Sequence, residues 1–346
     1  MKAGLHKITP RLLLLASFVF TLATLARAAQ PPCEEFARAV KSTYDFKPSR
    51  LKDDAERGAK SATMDSFWDS VKSRRKELLP CLRAAVEDPK ADSWFRFDGS
   101  NLLVYLDPTP ESKAAQVRAY SSAELEDVDL AVWVSTLARL GAEGFDVSGA
   151  GSRWLALPAA EYYLPEHGAY RVDRFLGAIF IYGAMDEAQA TPALLKSAAD
   201  PALPGREVAV SLLAMQATPE AMRGLREAVL PALPAAQQAS LRRMLESPKV
   251  IAPREKPKTS REQFLKAFAA ASAGDWEPFE ALVSEVPDGE RDVVATLKSE
   301  DLPLLRRVRR AMIARANPHA AEYYVTFTQI LTTLVSRAEA KGQDEG

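Results

Sequence analysis

Apolar residues recur at helical spacing along most of this chain. Cys33, Phe36, Ala37 and Val40 stand at i, i+3, i+4 and i+7. That predicts a first helix, with Pro31-Pro32 suited to its start. Met64, Phe67, Trp68, Val71, Leu78 and Leu82 form one stripe and predict a second helix. The polar stretch from Lys47 to Ala62 reads as loop or short helix, and Asp88-Pro89 ends this first region. Trp94 to Phe97 follows, and Asp98-Gly99-Ser100-Asn101 reads as a turn or a helix start. Farther along, Leu130, Trp133, Val134, Leu137 and Leu140 share one helical face, closed by Gly141 or Gly144. Asp146 is placed to cap a helix carrying Val147, Ala150 and Trp154. Asp173 opens the most apolar helix, Phe175 to Tyr182, which is expected in the middle of a stack because no face of it is polar.

One block recurs. Val208 to Glu220, an apolar run ending in Thr218-Pro219-Glu220, is echoed by Gly177 to Met185 followed by Thr191-Pro192. A fainter echo runs from Leu102 to Glu111 through Thr109-Pro110. By periodicity alone Leu102 to Leu106 could be a buried strand; the likeness to the later copies makes it a helix. Threonine satisfies free N–H groups at a helix start, and proline fits the first helical position, so each Thr-Pro pair is expected to open a helix. Helices continue through Gly205 to Met215, Pro219 to Leu230 and Pro234 to Leu245. Beyond a proline-rich stretch, Phe264, Leu265, Phe268 and Ala271 form one stripe, Leu305, Val308 and Met312 another, and Tyr324, Phe327, Leu331, Leu334 and Val335 a last one.

The paired helices, the repeat of roughly thirty residues and the prolines at helix starts resemble HEAT-like repeats of the α-solenoid class. The resemblance is best from Asp173 to Leu245, with traces from Leu102. It implies a curved stack that offers a concave face to a partner, commonly a protein or peptide. The Trp-Leu-Gly-Tyr signature of tetratricopeptide repeats is not matched.

The N-terminus reads as an export signal. Lys2, Lys7 and Arg11 precede an apolar run from Leu12 to Leu25, and Ala26-Arg27-Ala28 is a small-x-small cleavage site. Removing residues 1–28 takes away four positive charges and changes the formal charge from −1 to −5. A mildly acidic chain has no general attraction for nucleic acid, and membrane contact is expected at most at the surface. Export places Cys33 and Cys81 in an oxidising compartment, the periplasm or outside the cell. If the first two helices pack antiparallel, the start of one lies beside the end of the other and the two thiols meet in a disulfide.

Candidate chemistry is sparse. After export His167 and His319 are the histidines left, and no His-Glu-x-x-His, Cys-x-x-Cys, Gly-x-Ser-x-Gly or phosphate-cradling loop occurs. Ser49-Arg-Leu-Lys52 and Ser73-Arg-Arg-Lys76 match a serine–lysine spacing without a third partner motif. No catalytic, cofactor-binding or metal-ligating residues are assigned. Arg306, Arg307, Arg309 and Arg310 circle the apolar stripe of one helix. They read either as a solvated face paired with Asp288, Glu290, Asp292, Glu300 and Asp301, or as a patch for an acidic partner or a phospholipid headgroup. Ala159-Ala-Glu-Tyr162-Tyr163 reappears as Ala320-Ala-Glu-Tyr323-Tyr324, either by coincidence or as a duplicated element.

The expected fold is all-α: an α-solenoid of HEAT-like helical hairpins between an N-terminal disulfide-stapled hairpin and a C-terminal helical module. The expected divisions are a signal peptide at 1–28, the hairpin at 29–90, repeats at 91–246, a linker at 247–260 and the C-terminal module at 261–346. The expected function is an exported, non-enzymatic protein-binding or scaffold protein of a bacterial envelope. Trp133, Trp154, Tyr162, Tyr163 and the four arginines are its candidate partner surface. The alternative is an envelope hydrolase with paired carboxylates in a groove.

Overall fold

A computed structural model describes residues 31–46, 54–126, 128–158, 162–164, 170–246, 250–285, 289–315 and 320–344. The expected signal peptide at 1–28, His167, His319 and Ser247 to Lys249 lie outside the described residues. The fold is all-α, and it divides into two compact units, one up to Ala119 and one from Tyr120 onward.

In the first unit α1 (Pro31–Thr43) packs on α3 (Arg75–Glu87), while α2 (Asp54–Ser73) packs more lightly on both. The single stripe expected from Met64 to Leu82 is therefore two helices, broken at Arg74, whose φ of −102° and ψ of 25° leave the helical region. The break turns Leu78, Cys81 and Leu82 of α3 toward α1. Cys33 and Cys81 are disulfide-bonded, with Cα atoms 5.1 Å apart. The next helix, α4 (Ser93–Leu106), begins earlier than the sequence suggested. The Asp92 carboxylate accepts from the Trp94 and Phe95 N–H groups, and Asp98 to Asn101 lie inside the helix rather than at a turn. Leu102 to Leu106 is its last turn, helical as the likeness to the later blocks required. Helix α5 (Pro110–Ser122) opens at Thr109-Pro110, where Thr109 Oγ1 accepts from the Ser112 N–H.

The second unit contains a two-row stack. One row is α6 (Leu130–Ala142), α8 (Arg174–Ala184) and α10 (Arg206–Gln216). The other is α7 (Ser148–Ala156), α9 (Glu187–Ala199) and α11 (Pro219–Gly224), the last continued by a π-helical turn at Leu225–Val229. Carboxylates begin four of these helices: Asp129 before α6, Asp146 before α7, Asp173 before α8 and Asp186 before α9 each accept a backbone N–H. Gly144, at φ 95°, ends α6 in the left-handed region that glycine adopts without steric cost. Helix α8 is buried from Leu176 to Ala184, as its all-apolar sequence requires. Thr218 caps α11 through the Ala221 N–H with Pro219 in the first turn, but Thr191-Pro192 sits inside α9. There Asp186 has already begun the helix, and Thr191 Oγ1 instead lies 2.6 Å from both the Glu187 carbonyl oxygen and Gln216 Oε1.

Between α7 and α8 runs a short antiparallel hairpin, β1 (Tyr162–Leu164) against β2 (Tyr170–Val172), with Tyr163 opposite Arg171. Tyr162 and Tyr163 thus lie on a strand, whereas Tyr323 and Tyr324 lie in a helix. The repeated Ala-Ala-Glu-Tyr-Tyr motif is not a duplicated structural element.

After α12 (Ala235–Glu246), residues 250–260 are irregular, as their prolines dictate, yet they are tied down. The Ile251 N–H donates to Thr333 Oγ1 at 2.9 Å, the Lys258 N–H donates to Asp292 at 2.8 Å, and Arg254 pairs with Asp292, which is fully buried. The remaining helices are α13 (Arg261–Ser272), α14 (Glu277–Glu285), α15 (Gly289–Thr296), α16 (Leu302–Ala314) and α17 (Ala320–Asp344). Helix α16 packs on α6 and α8, and α17 on α8 and α10. These two helices cover the α6–α8–α10 row. Gly183 of α8 shows how close they come: a Cβ there would lie 2.8 Å from the Tyr324 ring.

Candidate binding site

Trp133 and Trp154 are corrected from surface anchors to core. Both are completely buried, with ring centroids 6.1 Å apart and stacked. Their indole N–H groups donate to the carbonyls of Tyr120, at 3.1 Å, and Arg174, at 2.9 Å. A hot-spot aromatic must be reachable by a partner; these two instead fill the space between α6, α7 and α8. Gly177 is small because Trp154 lies against it, at 2.3 Å from where a Cβ would stand. For Tyr162 and Tyr163 the structure describes the backbone alone.

The arginine cluster is also corrected. Arg307 is exposed, but Arg309 is 2% exposed and Arg306 and Arg310 are largely covered. Among the described residues their acidic partners are Asp186 and Glu187, far from them in sequence. Arg309 reaches Glu187 at 2.9 Å and the Met215 carbonyl at 2.9 Å, and its guanidinium lies 4.8 Å from the Tyr324 ring centroid. Arg310 pairs with Asp186 and with Glu187 at 3.3 Å, and Arg306 donates to the Ala217 carbonyl at 3.0 Å. Burial raises the Asp186 pKa, but the Ala188 N–H and Arg310 outweigh it and hold the carboxyl below its ordinary range. The cluster is a staple between α16 and the stack. Asp292, Glu300 and Asp301 are answered by Arg254 and Arg261 instead.

A different side-chain constellation was not foreseen. In the first unit Tyr44 Oη donates to Asp98 Oδ2 at 2.6 Å, and Trp68 Nε1 donates to the same oxygen at 2.9 Å. Burial pushes the Asp98 pKa up, against both hydrogen bonds, and Asp65 adds to the rise. Burial, then Asp98 itself, holds the Tyr44 hydroxyl protonated far above its usual range. Phe67, Trp68 and Phe95 pack around Tyr44 with centroids within 6.2 Å. This is a packed aromatic nest around a carboxylate. Its parts come from α2, α4 and the residue that follows α1, so no local spacing announces it.

The open space lies elsewhere, among α13, α14, α15 and α17. A cavity of about 230 Å³ is lined by Phe264, Phe268, Phe279 and Phe327, with Val293 and Ile330 behind them. The rings form a connected set: Phe268 lies 5.8 Å from Phe264, 5.8 Å from Phe279 and 6.1 Å from Phe327. Two polar side chains join the lining, Thr326 and Glu290. Packed interiors hold few voids larger than a water molecule, and an apolar cavity of about 150 Å³ accepts a benzene-sized guest. This space is large enough for one bulky apolar group. The phenylalanine stripes were legible as helix faces; that their packing leaves room was not, because periodicity reports which side is buried and not how well it is filled. A wider depression on the outer side of α13 is lined by Arg261, Glu262, Leu265 and Lys266. Arg261 there is committed to Asp301, at 2.6 Å.

No protein-family model, curated protein or solved structure matches this chain.

Among the described residues no three or more His, Cys, Asp or Glu side chains are grouped to hold a metal ion. Also among the described residues, no helix is long and apolar enough to cross a membrane.

Proposed function

We propose that this is an exported, non-enzymatic binding protein of a bacterial envelope, built on a HEAT-like stack. Its receptor site is the aromatic cavity of the C-terminal helices. The observation that carries this reading is the four-phenylalanine cavity. A space of that size, ringed by rigid aromatic faces, receives a hydrophobic anchor from a protein partner. The expected concave face of α6, α8 and α10 is a poorer candidate, because α16 and α17 already occupy it. The lining contributes one carboxylate, Glu290, rather than a facing pair, which favours binding over glycan hydrolysis. The Cys33–Cys81 bond supports an oxidising destination.

Two measurements test the proposal. Mass spectrometry of the exported protein should find Ala29 as the first residue; a retained Met1 would remove the export signal. Thr326→Phe, which places a ring in the cavity, should abolish binding of hydrophobic peptides while the melting temperature stays within a few degrees. Undiminished binding would place the receptor elsewhere.

A further inference from the structure

We propose that the cavity selects a basic peptide segment: one bulky apolar side chain seated among the phenylalanines, with lysine or arginine beside it. This rests on the binding role proposed above and names its partner's chemistry. Three observations lead to it.

The first is volume. Sites for small molecules and cofactors run to roughly 300–1,000 Å³. At about 230 Å³ this cavity falls short of that and suits a single leucyl- or phenyl-sized group. The second is the charge in the lining. Glu290, on the first turn of α15, is the charged residue there, and it is part-exposed. The third is the charge of the chain that frames the cavity. The two helices α14 and α15, which contribute to the lining, carry five acids and one base, Arg291. Among the described residues, arginines from outside these helices answer two of the five: Arg315 meets Glu280 at 3.0 Å and Arg254 meets Asp292. The two helices remain net negative. Aromatic faces add to the effect, since the ring quadrupole attracts cations. An apolar anchor with an acidic neighbour would meet repulsion at this rim; one with a basic neighbour would meet complementary charge.

The test uses the full exported chain and three fluorescein-labelled twelve-residue peptides. One carries a central Phe flanked by lysines, one the same Phe flanked by glutamates, and one a central Ala flanked by lysines. Anisotropy titrations are run at low and high salt. The Lys-flanked Phe peptide should bind tightest. Exchange of Phe for Ala should weaken binding by about tenfold or more, the value of burying an aromatic side chain. Glutamate flanks should weaken it by about tenfold at low salt and less at high salt. Glu290→Lys, at a part-exposed position that leaves the apolar lining intact, should narrow or reverse the preference for lysine flanks. Equal binding of both Phe peptides, or a preference that Glu290→Lys leaves unchanged, would overturn the basic-partner proposal and leave the receptor role standing. Failure of both Phe peptides to bind, or equal binding of the Phe and Ala peptides, would overturn the cavity as a receptor and the proposed function with it.

Discussion

Each unit buries a charged group, and the two handle it differently. In the first, the Asp98 carboxylate is held by Tyr44 and Trp68, donors without charge. In the second, the Arg309 guanidinium meets the Glu187 carboxylate, the Met215 carbonyl and the face of Tyr324. Neutral donors fix the position of an ion but do not repay its dehydration, so the Asp98 pKa rises. A counter-charge together with carbonyl oxygens does far more, at the cost of making each partner indispensable. The first unit compensates with a covalent bond, Cys33–Cys81, which the second lacks. One region is therefore held by a cross-link around a polar weakness, the other by an ionic staple around an apolar stack.

Breaking the staple should have the largest effect. Arg309→Ala leaves Glu187 buried without its closest partner and should cost about 3–5 kcal/mol in urea denaturation. Amide protection should fall in α8, α10 and α16. A loss under about 1 kcal/mol would show that the staple is incidental to the fold. Removing the disulfide by Cys33→Ala with Cys81→Ala should cost about 4 kcal/mol, from the loop entropy restored to the unfolded chain. Hydrogen exchange should quicken across α1 to α4. Equal quickening in α8 to α10 would contradict the division into two compact units.

Gly177→Ala addresses the apolar side of the comparison. Its Cβ would overlap the Trp154 ring, which is completely buried, so about 1–3 kcal/mol should be lost. A neutral result would mean that α7 and α8 can separate without cost.

The smallest effect is the most diagnostic. A carboxyl whose folded-state pKa is raised contributes its full stability below the unfolded-state value, near 4, and loses it as pH rises through the folded value. Asp98 should therefore weaken the first unit progressively as pH climbs above about 4. Asp98→Asn keeps one acceptor oxygen for both donors, which already share Oδ2, and removes the charge. Relative to the wild type, its urea midpoint should be higher at pH 7 than at pH 4. The same offset at both values would show that the Asp98 charge carries no penalty.

Much of this molecule was legible in its sequence. Carboxylates before apolar runs marked the starts of α7 and α8, because a helix must satisfy its first N–H groups locally. The all-apolar α8 could be stable only in the middle of a stack, and the two cysteines of the sequence had an evident partner in each other. These features depend on residues a few positions apart or on chemistry with a single solution. Other features turned on distant choices. Periodicity showed that Trp133 and Trp154 face one side of their helices, but not that α8 lies against them. Charge alternation placed Arg306, Arg309 and Arg310 around a stripe, but the row α16 would cover decided that they meet Asp186 and Glu187, far from them in sequence. Thr191-Pro192 matched a helix start in type, yet Asp186 had already begun the helix. The sequence by itself determined which faces are buried and where most helices begin, since both follow from local hydrogen bonding and hydrophobicity. Only the tertiary structure decided which buried face meets which, and where that packing leaves a space, because both depend on the shapes of side chains brought together from distant parts of the chain.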